Sequence, residues 1–533
     1  MSEKAVLQSE NPAPTSEGNP RSSQTETEVF AVYGAEPEVQ AYAMAKYSRS
    51  ALSMKESLKE LNEQKAEKFL NTFYFQYGHR SIADLAHVAL AVERLSLLAA
   101  IALVDEQRWD GQERSTRYQN FQKSGYYVPD FDGNERAEEL YRQTIDELFR
   151  QYQSLSETVF RFLTVRTAKP DDMKQEAYER TLRARAFDIT RYLLPLATNT
   201  SLGQIVNART LETQVSRLLS DPHAEIRNLG ELLKRAASQP AWNLNYERYR
   251  DLVSKLREKD ESLANEAGGL LLKDVRVAPT LVKYAEPSSY QNEARRELRA
   301  AAKEVMADEE IESADLVDLL DDEPLEIELA TTLLYEHCHH PYRQIRRKVE
   351  VLGEKQRAEI IDIGIRLRGG HDELLRAYCS GQKFRFDILM DIGGFRDMHR
   401  HRRCIQIGQG FTTRHGFDTP EEVLAAGAGE QYAQAMENAA DAAKHLQSVL
   451  RGHLEALENS EYLIPLAYRK RTLFKMDLAE AVYISELRSK PEGHISYRRV
   501  AYAMYEEVVK RYPALRGMFR VRDINEPVDL LKR

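Results

Sequence analysis

The chain holds only three cysteines, Cys338, Cys379 and Cys404, in 533 residues. Three is an odd number and too few for a disulfide framework, and it suits a reducing compartment. No run of about 18 apolar residues occurs, which excludes a helical membrane span. The first residues lack a charged start followed by an apolar core, so no secretory signal is expected. There is no excess of positive charge either: 84 acidic against 75 basic residues leave a net charge of −9, without global attraction for nucleic acid or an anionic membrane. Neither a Gly-x-Gly-x-x-Gly turn after a strand nor a Walker-type loop is found, which argues against Rossmann and P-loop nucleotide binding. These absences together describe a soluble, cytoplasmic chain.

What is present is one pattern written twice. Gly111-Gln112-Glu113-Arg114-Ser115-Thr116-Arg117-Tyr118 is echoed by Gly408-Gln409-Gly410-Phe411-Thr412-Thr413-Arg414-His415. Tyr192-Leu193-Leu194-Pro195-Leu196-Ala197 returns as Tyr462-Leu463-Ile464-Pro465-Leu466-Ala467, and Tyr77-Gly78-His79 as Gly369-Gly370-His371. The offsets are 371 − 79 = 292, 414 − 117 = 297 and 465 − 195 = 270. So long a period means duplicated domains rather than a solenoid, and 42% hydrophobic residues suffice for more than one core.

Residues 1–27, rich in Ser, Glu, Pro, Asn and Thr, cannot offset their ordering entropy and read as a disordered tail. The first domain is expected over 28–240, a helical connector over 241–278 and a second, more divergent domain over 279–525. Val29–Tyr33 reads as a short strand leading through a turn into a helix that ends near Ala66. Ala86–Val92 and Phe384–Ile388 alternate as sheet strands do, while helical periodicity dominates elsewhere. The fold class is α+β, helix-rich with a central, mostly antiparallel sheet in each copy. An acidic block from Ala307 to Glu328 reads as a solvated helix face or a mobile insert.

Several clusters carry possible chemistry. Arg400-His401-Arg402-Arg403 crowds three guanidiniums, which need anions; phosphate or internal carboxylates such as Asp397 both satisfy that need. Glu113, Ser115 and Arg117 alternate, so on an extended segment they project from one face. Glu336-His337-Cys338-His339-His340 has no metal-ligand spacing and reads as a surface turn before Pro341, and no metal is expected. Cys404 reads as an ordinary buried thiol. Arg343–Lys348 with Arg400–Arg403 offers a nucleic-acid reading that net charge and the lack of interleaved aromatics do not support.

The order Gly78-His79-Arg80-Ser81, Ser115-Thr116-Arg117-Tyr118, Arg191-Tyr192-Leu193-Leu194-Pro195 and Asn207-Ala208-Arg209 resembles the flavin-dependent thymidylate synthases, across about 29–235 and more weakly across 282–520. The resemblance implies two tandem domains of that fold. It assigns flavin contacts to His79, Ser81, Asn207 and Arg209 and to Arg400, His401 and Arg402. Deoxyuridine monophosphate (dUMP) contacts fall to Glu113, Ser115, Arg117, Arg191 and Arg414, and catalysis to Arg488 and Ser115.

The family signature is divided between the copies. Asp105-Glu106-Gln107 stands where Arg-His-Arg belongs in the first, whereas the second keeps Arg400-His401-Arg402 but has Gly410 and Thr412 at the Glu and Ser places, with two extra residues before Thr412. Thr213 and Leu218 occupy the places of a family Asn and Arg in the first copy; Asp477 and Ala479 replace an Asn and an Arg in the second, which keeps Arg488. The implied activity is reductive methylation of dUMP to thymidylate, with FAD as cofactor and methylenetetrahydrofolate and NADPH as co-substrates. A site is expected to take Arg400, His401, Arg402 and Arg488 from one half and Ser81, Glu113, Ser115, Arg117, Arg191 and Asn207 from the other, in a homodimer that mimics the family's tetramer. The alternative is a catalytically inactive flavin- or nucleotide-binding or structural paralogue, because acids replace Arg-His-Arg where flavin phosphate would sit.

Overall fold

The computed structural model describes residues 35–46, 80–121, 124–369, 372, 374–453, 455–526 and 528–531, with the side chains of Lys46, Arg80 and Ser81 left out. The 1–27 tail, the 29–33 strand, the helix beyond Lys46, Tyr77-Gly78-His79, Gly370 and His371 lie outside the described residues.

Helix α1 (Pro37–Lys46) precedes the first sheet, whose strands β1 (His87–Ser96), β2 (Asp110–Glu113) and β3 (Asn199–Asn207) run antiparallel in the order β1-β3-β2. Between them lie α2 (Leu97–Leu103), α3 (Glu135–Arg166) and α4 (Gln175–Thr190); α5 (Ala208–Leu219) and α6 (Ala224–Ser238) follow. The second sheet is antiparallel too, in the order β4-β5-β7-β6, from β4 (Val317–Leu319), β5 (Phe384–Asp391), β6 (Ile405–Gly408) and β7 (Arg469–Met476). Its helices are α9 (Ser289–Val305), α10 (Leu325–Tyr335), α11 (Tyr342–Val351), α12 (Glu354–Ile363), α13 (Ile392–Met398), α14 (Gly429–Val449), α15 (Leu478–Arg488) and α16 (Ile495–Arg511). The molecule is therefore helix-rich with two antiparallel sheets, one per copy.

The connector is a helical hairpin, α7 (Tyr246–Arg257) and α8 (Glu261–Leu271), whose ends meet where Ala241 N–H donates to the Val275 carbonyl at 2.8 Å. Helix α6, its sequence neighbour, instead buries Ile226, Leu229 and Leu233 in the main core.

The two copies superpose in register. Asp110 pairs with Ile205 and Ile405 with Lys475, so offsets of 405 − 110 = 295 and 475 − 205 = 270 carry one ladder onto the other. Ser96 and Asp391 then fall together as the N-caps of α2 and α13, accepting from Ala99 N–H and Gly394 N–H, which satisfies one orphan donor of each helix. Asn207 and Asp477 likewise cap α5 and α15.

The copies meet through the repeated Leu-x-Pro-Leu-Ala segments. Leu196 N–H donates to the Ile464 carbonyl and Leu466 N–H to the Leu194 carbonyl, both at 3.0 Å; Ala197 to Tyr462 (2.9 Å) and Ala467 to Tyr192 (3.1 Å) repeat the exchange. Each bond maps onto its partner under the offset of 270, the reciprocity of an isologous two-fold contact inside one polypeptide. One apolar core runs across both copies.

The acidic block is a correction to the sequence reading. Val317–Leu319 forms β4 on the edge of the second sheet, and Glu323 is buried against Arg385. Asp318 and Asp321 take Arg343, Glu323 and Glu350 take Arg346, Glu312 takes Arg347 and Glu309 takes Lys348. The acidic and basic runs neutralise each other across the fold, so neither presents a free field. The polar face of β5 is covered for the same reason: Asp387 accepts from Tyr335 Oη, Tyr342 N–H and Arg471 at 2.7 to 3.1 Å, and Arg471 and Asp387 are 1% exposed. Buried charge survives there because each group is paired and hydrogen-bonded. The Glu336–His340 segment is a turn, but a half-buried one, with His340 buried and its Nε2 against the Glu309 carbonyl.

Candidate functional site

Strand β2 stops at Glu113, and the following residues turn: Ser115 Oγ accepts from Arg117 N–H at 3.2 Å. Glu113, Ser115 and Arg117 therefore do not share one strand face, a correction to the alternation argument. The turn carries Arg117 inward to 8% exposure. The second copy repeats it, with Thr412 Oγ1 accepting from Arg414 N–H at 3.2 Å. Ladder register places Gly408, not Gly410, opposite Glu113's position; the two extra residues fall between the end of β6 and the turn.

Arg117 grips Asp188 of α4 with Nε and Nη2, both at 3.0 Å, and donates from Nη1 to Tyr497 Oη at 3.0 Å and from Nη2 to the Glu492 carbonyl at 3.2 Å. Arg191, 2% exposed, lies 3.6 Å from Asp188 and 3.5 Å from Asp397 of α13, yet its Nε and Nη2 have no hydrogen-bond partner. Arg488 lies over the Tyr497 ring at 5.5 Å and Arg117 lies over the same ring at 5.6 Å, distances that suit cation–π attraction. Arg488 Nε donates to His401 Nε2 at 2.8 Å, and His401 Nδ1 faces Glu480 at 3.4 Å; the ring is then neutral with its proton on Nδ1, in line with burial lowering its pKa. Arg396 ties Glu113 to Thr116. Arginines from both halves thus converge on one buried cluster.

The rim of that cluster carries the Arg-rich segment. Arg402 lies 4.7 Å over the Trp109 ring of the first half and donates to the His399 carbonyl, while Arg400 is exposed and, among the described residues, has no carboxylate within ion-pair distance. Arg403 pairs with Asp477. A void of about 10 Å³ separates Glu113, Arg396, Arg400 and Arg402; a nucleotide needs these side chains to part.

Other expected residues lie elsewhere. Asn207 spends its side chain on the α5 cap, and Arg209 pairs with Asp84 at 3.3 Å; neither is brought to the arginine cluster, and Arg209 lines a different cavity. Arg414 is exposed, with its charge facing His339 and His415. Ser81 and His79 lie outside the described side chains. Cys404 is buried, and burial pushes its thiol up to about 12. Among the described residues no group of His, Cys, Asp and Glu is arranged to hold a metal ion, and no helix is long and apolar enough to cross a membrane.

Asp188, Tyr497 and His494 were not foreseen. His494 and His223 are equivalent N-cap residues, of α16 and α6. His494 packs on Tyr192 and is held neutral by burial, at about 4, against the pull of Asp188 and with repulsion from Arg191 and Arg117. Burial opposes charge on His223 too, but hydrogen bonds to Asp221 (2.8 Å) and Glu461 (3.1 Å) push it up to about 10. Glu461 is the counterpart of Arg191 under the offset of 270.

The family model described as thymidylate synthase complementing protein matches residues 30–241 and again 315–514; the chain belongs to that family, with the family domain present twice. Over its full length it is similar to a UPF0159 protein of Chlamydia pneumoniae, 28% identical with 95% of this chain and 93% of the relative covered. A UPF0159 protein of Thermoplasma acidophilum is 24% identical, with 88% and 91% covered. A flavin-dependent thymidylate synthase of Clostridium tetani is 27% identical across 40% of this chain and 82% of its own. Among solved structures, a flavin-dependent thymidylate synthase of Helicobacter pylori complexed with FAD and dUMP aligns over 38% of this chain and 89% of its own, at 15% identity and a TM-score of 0.26.

Proposed function

We propose that the chain is a flavin-dependent thymidylate synthase in which the two halves build a shared site, methylating dUMP reductively with methylenetetrahydrofolate as carbon donor and NADPH as reductant. The observation that supports this most is the meeting of Arg117 from one half with Arg488 from the other over the Tyr497 ring, with Arg191 beside them on Asp188 and Asp397. Arg191, buried with two unbonded nitrogens, is a receptor for an anion, since orphaned buried donors are otherwise costly. Arg117 exchanges Asp188 for the nucleotide phosphate, a bidentate partner of the same geometry. Glu113 and Ser115 hold the pyrimidine edge, and Arg488, oriented by neutral His401, stabilises the negative charge that develops on the ring.

For FAD, the donor set fits in part: Arg400 is exposed without a carboxylate partner and Arg402 lies flat on Trp109, so a polyanionic cofactor finds cations at the rim, with Ser81, His79, Asn207 and Arg209 as further contacts in a homodimeric assembly. Bound reduced flavin supplies the hydride. The residues of the chain bind, orient and neutralise. Arg414 is a phosphate contact only if the exposed second turn closes on a ligand.

A second reading has its own observation. The bidentate Arg117–Asp188 pair and the void of about 10 Å³ describe a cluster already neutralised, as in a paralogue that binds flavin or nucleotide without turnover. Purified protein that is yellow or takes up added FAD, and that releases thymidine-requiring bacteria from their requirement, supports the synthase; a colourless protein that refuses FAD removes the synthase and leaves a paralogue that binds nucleotide alone, and flavin binding without rescue leaves the flavin-binding paralogue.

A further inference from the structure

Diagonally related to the arginine cluster by the internal two-fold is a cavity of about 630 Å³, walled by α2, Asp105–Arg108 and α5 of the first half and by β6, β7 and α9 of the second. It is not a copy of the cluster. Acids stand where the other site has Arg400 and His401, but those acids are already taken: Asp105 by Arg376 at 2.6 Å, Glu106 by Arg217 at 2.8 Å. Six cationic and four acidic side chains line the space, an excess of 6 − 4 = 2 positive charges before His223 is counted.

We propose that this cavity is a second binding site, distinct from the synthase site, for a small phosphate monoester whose phosphate is held by Lys470 and Thr472. Lys470, on β7, is 7% exposed and, among the described residues, has no carboxylate within ion-pair distance; its ammonium donates to the Gln409 carbonyl and lies 4.3 Å from the Phe411 ring centroid and 5.5 Å from that of Phe395. This buried ammonium is held by one carbonyl and two rings, and the carboxylates that act on it, Glu461, Asp105 and Glu336, do so from beyond ion-pair distance, so a direct counter-ion would be favourable. Two residues along the strand, and so on the same face, Thr472 is 1% exposed with an Oγ1 that bonds nothing. His399 Nε2 is equally unbonded in the cavity wall, beneath the Phe395 ring that stacks on it at 4.9 Å. From the opposite wall Arg295 donates to the Ser220 carbonyl and the Asn292 side chain, near Asp221 but, among the described residues, without a carboxylate in ion-pair contact. Native interiors leave few buried polar atoms unpaired, and two such atoms, Thr472 Oγ1 and His399 Nε2, face one space beside Lys470 and Arg295, an arrangement that suits an anion. Burial holds Lys470 at about 8, an ammonium whose charge a bound anion stabilises. The volume lies in the range of small-ligand pockets, and two uncommitted cations match one phosphate rather than a polyphosphate.

The test uses the full chain carrying Arg117→Met, which weakens the arginine cluster, with inorganic phosphate, uridine monophosphate and citrate as probes in titration calorimetry and thermal unfolding; the part of the binding that belongs to the cavity is the part lost on altering Lys470 or Thr472. Uridine monophosphate is expected to bind and raise the unfolding temperature, inorganic phosphate to bind more weakly at the same site, and citrate not to bind. Adding Lys470→Met should weaken binding at least about tenfold. Thr472→Val, nearly isosteric and expected to fold whatever Lys470→Met does, should weaken it about threefold. Equal binding in the Thr472→Val and Lys470→Met backgrounds, or no response of the Arg117→Met chain to any probe, overturns the proposal. Because the reading is taken in a chain with a crippled synthase site, loss of thymidylate formation does not bear on it.

Discussion

Two histidines in equivalent places, His223 and His494, differ in charge, the first protonated and the second neutral. Each precedes a helix and packs on the tyrosine of a repeated Tyr-Leu-x-Pro segment. What differs is the residue one position before that tyrosine: Arg191 in one copy, Glu461 in the other. Burial, helped by Arg191, keeps His494 neutral; on His223 burial is overcome by Asp221 together with Glu461, which draw a proton onto the ring. A duplicated chain can thus divide one site into two with different charged partners by changing single residues, while backbone register, N-caps and the reciprocal Leu-x-Pro-Leu-Ala hydrogen bonds stay fixed. The division also explains why the arginine cluster is tight and the opposite cavity open: four acids and six bases around the cavity leave space, whereas Asp188 and Asp397 draw Arg117 and Arg191 together.

The largest effects should come from breaking the cationic side. Arg117→Ala and Arg488→Ala are each expected to lower thymidylate formation by about 100-fold or more, the scale of removing a preorganised charge-stabilising donor, while Arg414→Ala, at the exposed counterpart of Arg117, should change it little; rates of thymidylate production read this directly. Next is stability. Arg191→Met leaves Asp188 and Asp397 buried without their shared cation and should cost about 3–5 kcal/mol in denaturant unfolding.

The histidine contrast itself is tested by pH. His494 has a depressed pKa, so its contribution is full above the unfolded value of 6.5 and is lost as pH falls toward about 4. His223 has a raised pKa, so its contribution is full below 6.5 and is lost as pH rises through about 10. Thermal unfolding across that range should therefore fall at both ends. His494→Gln should flatten the acid limb alone and His223→Gln the alkaline limb alone; the same limb responding to both would remove the contrast. The smallest effect should be Thr412→Ala, which removes one hydroxyl from an exposed turn and should shift stability by less than about 0.5 kcal/mol, whereas Ser115→Ala in the matching turn should be felt chiefly in activity.

Much of this was legible in the sequence, because a duplication supplies its own internal comparison. Tyr192–Ala197 and Tyr462–Ala467 gave away the duplication, though not that these two segments are the ones that touch, and the division of Arg-His-Arg from Ser-x-Arg suggested which half would supply which arginine. The strands at β1 and β5 followed from alternation. What was hidden depends on distance along the chain. Asp188 meets Arg117 across 71 residues and Tyr497 meets it across 380, and no local pattern announces either. The acidic block looked solvated because its partners, Arg343 to Lys348 and Arg385, are basic residues on other elements. The alternation of Glu113, Ser115 and Arg117 misled because a strand period was extended past the last ladder residue into a turn, where the Ser115 hydroxyl caps its own backbone. Lys470 and Thr472 drew no notice because no local pattern marks them; Phe395 and Phe411, which lie against Lys470, come from other segments of the chain.

The central claim is that one polypeptide assembles its synthase site from its own two halves. The direct measurement is to co-express the Arg117→Ala and Arg488→Ala chains in a bacterium that requires thymidine and that the unaltered chain rescues. If each site is built within a chain, every molecule in the mixture lacks one of the two arginines and the cells should fail to grow without thymidine. Growth of the mixed strain, or of either variant alone, would contradict the account.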